Sequence, residues 1–222
     1  MAIEPVPTTT DSLRKGDPAS LRAGIRQAWG WAVMFGAGEN SFGLFGARIL
    51  LPRFFFGLLT GIPQFLGPLA QVLAANLVDR SGKRKHLVAA AVVVQIVCFL
   101  PLLLLPLYCL AGPPLTETSR TALHVVLLAA VSLYCMSGNF TSPPWSSLIS
   151  DVVPSSTRGP YFARVSRDTA ALTLVSQAAV GGALYLAGRN LTEESQERGT
   201  MWVFAGAFAI AVLARAYSLA QI

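Results

Sequence analysis

The chain has 222 residues, of which 53% are hydrophobic and only 13% charged, with a mean hydropathy of +0.55. Water-soluble domains carry about 25% charged residues, so this composition excludes an ordinary soluble domain and fits a polytopic membrane protein. The net charge of +6 does not point to nucleic acid, because the basic residues sit at the ends of apolar runs, where membrane topology places them.

Residues 1–22 are rich in Pro, Thr and charge and lack an apolar core. They predict a disordered cytoplasmic tail and no cleaved signal peptide at the start. Residues 23–222 then read as one all-α bundle of six transmembrane helices. The first run covers about 23–47, with Arg26 near its start and Glu39 inside it. The second (54–78) and third (87–112) contain no charged residue. An uncharged stretch of roughly 20 residues is long enough to cross a bilayer. Pro113-Pro114 opens a polar loop before the fourth run (122–150). The fifth (169–188) and sixth (201–219) are separated by an acidic loop with Glu193, Glu194 and Glu197.

Charge tests the topology. Twelve of the 17 Lys and Arg residues fall on the side that carries the N-terminus, in the tail, the 80–85 loop, the 158–167 loop and at Arg215. Only Arg48, Arg53, Arg120, Arg189 and Arg198 fall on the other side. The bias predicts N-in and C-in for a multi-pass membrane protein. The three cysteines, Cys98, Cys109 and Cys135, have no paired spacing, so neither a disulfide framework nor a metal site is expected. His86 and His124 flank helices and read as interfacial. With no Walker loop, dinucleotide fingerprint or metal pattern, no enzyme, cofactor or metal is expected.

Small and polar residues recur at helical spacing within three runs. They are Gly36, Glu39 or Asn40, Gly43 and Ala47 in the first, and Gly57, Gly61, Gln64, Pro68, Gln71 and Ala75 in the second. Thr169, Thr173, Gln177 and Gly181 form the third stripe. Such stripes let helices pack closely in lipid, while the amides of Gln64 and Gln71 need partners or a polar cavity.

Glu39 is the one acid inside a predicted span. A charge there costs at least ~2.5 kcal/mol on insertion scales and usually faces a cavity or partner. It suits proton or solute handling; the alternative is a protonated side chain bonded to a neighbouring helix, or one wetted at the outer interface. The fourth run contains Pro143-Pro144, which removes two backbone donors and predicts a kink or break. Asn139 and Trp145 would then face a cavity, unless the prolines only bend the helix and Trp145 anchors it at the interface. Asn190-Leu191-Thr192 matches a glycosylation sequon that is too short to weigh.

The loop between the second and third runs reads Leu77-Val78-Asp79-Arg80-Ser81-Gly82-Lys83-Arg84-Lys85. It resembles the signature loop of the major facilitator superfamily, Asp-Arg-x-Gly-Arg-Arg/Lys, with Ala75 where the family usually has Gly. Asp151, Pro154, Arg158 and Gly159 resemble the motif that follows the fourth helix in sugar-porter-like members. Gly38-Glu39-Asn40, Pro63-Gln64 and Ala70-Gln71 resemble a poorly characterised bacterial branch.

The resemblance implies the N-terminal six-helix half of a twelve-helix fold, built from two inverted three-helix repeats. It implies secondary active, proton-coupled transport of a small solute by alternating access. Glu39, Asn40, Gln64, Asn139 and Trp145 are then expected on the solute or proton pathway. Asp79, Arg80, Gly82, Lys83, Arg84, Asp151, Arg158 and Gly159 are expected at the cytoplasmic gate, Asp79 facing a helix N-terminus of the other half. The implied partners are lipid, solute, protons and a second six-helix half or a homodimer mate, with no nucleic acid. The competing expectation is a truncated or half-length membrane protein that does not transport and acts as an interaction module.

Overall fold

The computed structural model describes residues 16–111, 116–189 and 192–222, which form helices joined by short turns, with no strand among them. The tail up to residue 15, Pro113-Pro114 and the start of the sequon lie outside the described residues. The helices are α1 (Pro18–Ala37), α2 (Phe42–Arg48), α3 (Arg53–Ser81), α4 (Arg84–Ala111), α5 (Glu117–Val152), α6 (Arg158–Ala187) and α7 (Glu193–Leu219). Short 3-10 turns cover Glu39–Ser41 and Ser155–Thr157. Five of these helices, α3 to α7, are long and apolar enough to cross a membrane.

The first predicted span is not a single helix. Asp17 opens α1 by accepting from the Ser20 backbone N–H at 3.0 Å, with Pro18 in the first turn, a favourable start. The helix then stops at Gly38, where Gly-Glu-Asn-Ser contributes three poor helix formers. The Ser41 hydroxyl donates to the Ala37 carbonyl at 2.6 Å, satisfying a group that the break would otherwise leave free. The predicted small-residue stripe of this run is therefore split. Gly36 packs on α6, where a Cβ would lie 2.5 Å from the Thr173 carbonyl, whereas Gly43 meets nothing within 4 Å.

The break expected at Pro143-Pro144 does not occur. Helix α5 runs through both prolines for 36 residues. Each proline costs about 3 kcal/mol in an ordinary helix interior. In a bilayer, leaving the helix would expose several backbone groups at a larger cost, so continuity wins.

Helices α6 and α7 start earlier than their apolar runs. Arg158, Gly159, Arg164, Arg167 and Asp168 are helical, as are Glu193, Glu194 and Glu197. The hydropathy of a run marks what lipid can accept, and hydrogen bonding carries the helix past it. Acidic residues in the first turn of α7 also suit the positive end of the helix dipole.

Packing is selective. Helix α1 packs along α6 and α7, α5 along α3 and α4, and α4 along α7, while α1 and α5 barely touch. The apolar core sits at the end of the bundle where α1 and α4 finish and α3, α5 and α7 begin. Phe45, Phe99, Phe208, Leu102 and Leu127 are fully buried there, with Phe45 and Phe208 edge to face at 5.7 Å. Toward the opposite end the buried side chains include the polar groups of Gln27, Gln95, Arg215 and Ser218. Within its apolar window α6 buries only 6% and α3 22%, against 39% for α4, α5 and α7. The stripe on α3 does share a face, but an exposed one: Gly61, Gln64, Pro68, Gln71 and Ala75 all lie open.

Candidate functional site

Arg215 of α7, assigned by charge to the cytoplasmic side, is buried, 1% exposed. The buried residues Phe204, Phe208, Ala211, Arg215 and Ser218 fall at alternating spacings of four and three, the seam of a packed helix. The only signal for this burial was that register. The guanidinium Nε donates to Gln95 Oε1 at 2.6 Å, and Nη1 donates to Ser218 Oγ at 3.1 Å. Ser218 in turn donates to the Gln27 carbonyl at 3.1 Å, tying α7 to α1. Gly30 permits that approach, since a Cβ there would lie 2.6 Å from the Ala214 carbonyl. Gln95 is the one polar residue on the buried face of α4, between Val92 and Cys98. Among the described residues no carboxylate pairs with Arg215.

The Arg215–Gln95 pair forms part of the wall of a cavity of about 350 Å³. Gln27 and Trp31 of α1, Thr141, Ser142 and Trp145 of α5, and Thr169 of α6 complete its polar and aromatic lining. Two more cavities adjoin it. One of about 430 Å³ lies between α1 and α6 and shares Trp31 and Thr169. The other, about 290 Å³, lies beside the start of α1 and the end of α5 and shares Trp145. Their α1 residues run in order, Ala19 to Gly24, Gln27 to Trp31, then Trp31 to Phe35. Ala19 to Phe35 is about 24 Å of helix, close to the ~30 Å hydrocarbon thickness.

Of the residues expected on the pathway, Trp145 alone lines the central cavity. Glu39 is half-buried at the break after α1, where its Oε2 accepts from the Tyr134 hydroxyl at 2.6 Å. The Tyr134 ring is wedged between Phe42 and Phe99, with centroids 5.4 and 5.0 Å away. Phe99 follows Gln95 by one helical turn, about 6 Å of rise, so the Glu39–Tyr134 pair lies one layer above the arginine. Asn40 Nδ2 donates to Gln177 Oε1 at 3.3 Å, joining the break to α6. Asn139 turns to α3 instead, accepting from Gln71 Nε2 at 2.9 Å while its own Nδ2 donates to the Cys135 carbonyl. Its neighbours Gly138 and Ser142 face the cavity in its place. Gln64 lies exposed on α3, away from all of these.

The two loop motifs meet. Gly82 ends α3 with φ of 63°, and its N–H donates to the Val78 carbonyl at 2.9 Å; this left-handed position is why a glycine stands there. Lys83 follows, and Arg84 opens α4 and pairs with Asp151 near the end of α5, linking the first motif to the second. Arg158 Nη2 donates to the Ser150 and Val153 carbonyls at 3.0 and 3.4 Å, closing the exposed end of α5. Asp79, Arg80 and Gly159 are exposed, and no described residue pairs with Asp79.

His124, near the start of α5, is 5% exposed and its Nε2 bonds the Ile49 carbonyl at 3.1 Å, so it fastens α5 to the segment after α2. The three cysteines are free, and no group of three potential metal ligands occurs among the described residues. Comparison of the chain with protein-family models, curated proteins and solved structures gives no match.

Proposed function

We propose that this chain is one six-helix half of a secondary transporter of the major-facilitator type, moving a small solute with protons by alternating access. The observation that carries the reading is the central cavity walled by Arg215, flanked along α1 by two open grooves that share Trp31 and Trp145 with it. A bundle that only anchors a protein has no need of a space walled by a buried arginine, two glutamines and several hydroxyls. Intramembrane polar and charged side chains lining such spaces are typical of solute pathways.

The packing supports the repeat architecture. Counting α1 with α2 as the first span gives six. Exchanging spans one, two and three for four, five and six turns α1–α6 packing into α5–α3, turns α1–α7 into α5–α4, and maps α4–α7 onto itself. Successive spans alternate in direction, so this exchange relates inverted units, as in transporters built from inverted repeats. The two least buried helices, α3 and α6, are equivalent under the exchange, which suits them to meet a second half. The Arg84–Asp151 link between the two loop motifs favours placing both at one cytoplasmic gate, N-in and C-in.

Within this reading Glu39 is the proton site and Tyr134 its hydrogen-bond partner. The solute occupies the central cavity, and Trp31 and Trp145 close its two ends. The exposed small-residue face of α3 also favours a second reading, a membrane interaction module without transport. Reconstitution in liposomes with a trapped pH dye separates the two. Transport predicts proton movement driven by one solute of a panel, lost in Glu39→Gln and in Trp145→Ala. No solute-driven proton movement by the chain, either as a homodimer or supplied with a second half, would leave the module reading.

A further inference from the structure

We infer that the central cavity is built for a small monocarboxylate, with Arg215 as its counter-charge. The inference rests on the transport reading only for the idea that the cavity holds solute. A guanidinium is always charged and offers five N–H donors in a rigid fork. Here Nε and Nη1 each have one protein partner, and the remaining donors, Nη2 among them, have none among the described residues. Desolvating a cation without a counter-ion is strongly unfavourable, and helix interiors normally pair such a group. The two protein acceptors of Arg215, Gln95 and Ser218, are neutral: they orient the fork and leave its charge uncompensated. Arg215 lines the cavity, so an anion entering that space supplies the missing charge.

The rest of the lining selects among anions. A single guanidinium matches the single charge and planar, two-oxygen face of a carboxylate; a phosphate dianion would exceed it. Trp31 and Trp145 present aromatic faces across the space, and Gln27, Thr141, Ser142 and Thr169 present polar side chains. The volume, about 350 Å³, lies at the low end of the roughly 300–1,000 Å³ of small-molecule sites. The ligand is therefore a small acid with an apolar or aromatic body and few further polar groups. Glu39, one layer away, gives a proton carrier beside the anion site, so that charge entering on the carboxylate is accompanied by a proton.

The test uses the full chain in nanodiscs of neutral phosphatidylcholine, which supply no anionic headgroup. Tryptophan fluorescence is titrated with benzoate and with its neutral isostere benzamide; two of the four tryptophans line the cavity. The inference predicts saturable quenching by benzoate with benzamide about tenfold weaker or worse, the scale of one charge-assisted bond. Arg215→Gln abolishes that preference, and Trp145→Ala weakens both ligands alike. Equal binding of benzoate and benzamide to the unaltered chain overturns it, and this comparison stands even where Arg215→Gln fails to fold. A preference that survives in folded Arg215→Gln also overturns it. Binding needs no second half, so intact carboxylate preference without transport counts against the transport reading alone. Transport of a neutral solute without carboxylate preference counts against this inference alone.

Discussion

Glu39 and Arg215 are charged residues held inside the bundle, and the sequence exposes only the first. An acid in the middle of an apolar run is conspicuous, and Glu39 does find a partner on a neighbouring helix. Arg215 lies near the end of its run, where counting charges by membrane side assigns it to one membrane face and says nothing of burial. Only its place on the 204–208–211–215–218 seam distinguishes it, and that register gains meaning once α4 supplies Gln95. The Glu39–Tyr134 bond predicts an asymmetry between its two partners. Tyr134→Phe leaves a half-buried carboxyl without its donor and destabilises the chain by about 1–3 kcal/mol. Glu39→Gln retains an acceptor for the hydroxyl and costs distinctly less. Thermal unfolding in detergent checks the order, and equal losses would mean that the bond is not formed. At the motif loop, Gly82→Ala forces a left-handed Ala and costs about 1–2 kcal/mol. Asp79→Asn, with no partner among the described residues, leaves the melting temperature unchanged.

At the scale of elements, apolar runs located the helices but not their ends or their breaks. Hydropathy records what lipid tolerates, so it truncated α6 and α7 at their charged first turns. It also joined α1 to α2 across Gly38–Ser41, because a single acid, Glu39, among Gly, Asn and Ser does not end an apolar run. Pro143-Pro144 misled in the other direction, since proline rules drawn from water overlook how few alternatives to a helix a bilayer allows. Pro143→Ala restores a backbone donor for the Asn139 carbonyl and predicts a rise in thermal stability. A fall would mean that the prolines shape α5 in a way its continuity hides. The close approach of α1 to α6 predicts that Gly36→Leu disrupts the bundle, read as loss of monodisperse protein in size-exclusion chromatography. Gly43→Leu, in open space, leaves the elution profile unchanged.

For the whole molecule, the sequence carries an all-helical chain of long apolar segments, five of them long and apolar enough to cross a membrane. It does not carry the cavity row. Trp31, Gln95, Thr169 and Arg215 come from four different helices, and no spacing within one segment connects them. The same limit applies to Asn139, which belongs to the right stretch of α5 but to the face that packs on α3. The exposed faces of α3 and α6 predict that the chain assembles with another six-helix unit. In a chain whose native cysteines are replaced, Gly61→Cys in the membrane should cross-link to such a unit, while Leu104→Cys, on the exposed face of α4, should not. The proposed transport route requires a water-accessible path along α1 between the helices. It is tested most directly by placing single cysteines in that background and adding a membrane-impermeant thiol reagent to sealed vesicles from either side. Ala28→Cys, on the cavity wall, should react from at least one side, and Leu104→Cys should stay protected from both. Protection of Ala28→Cys from both sides would show a dry bundle and contradict the account.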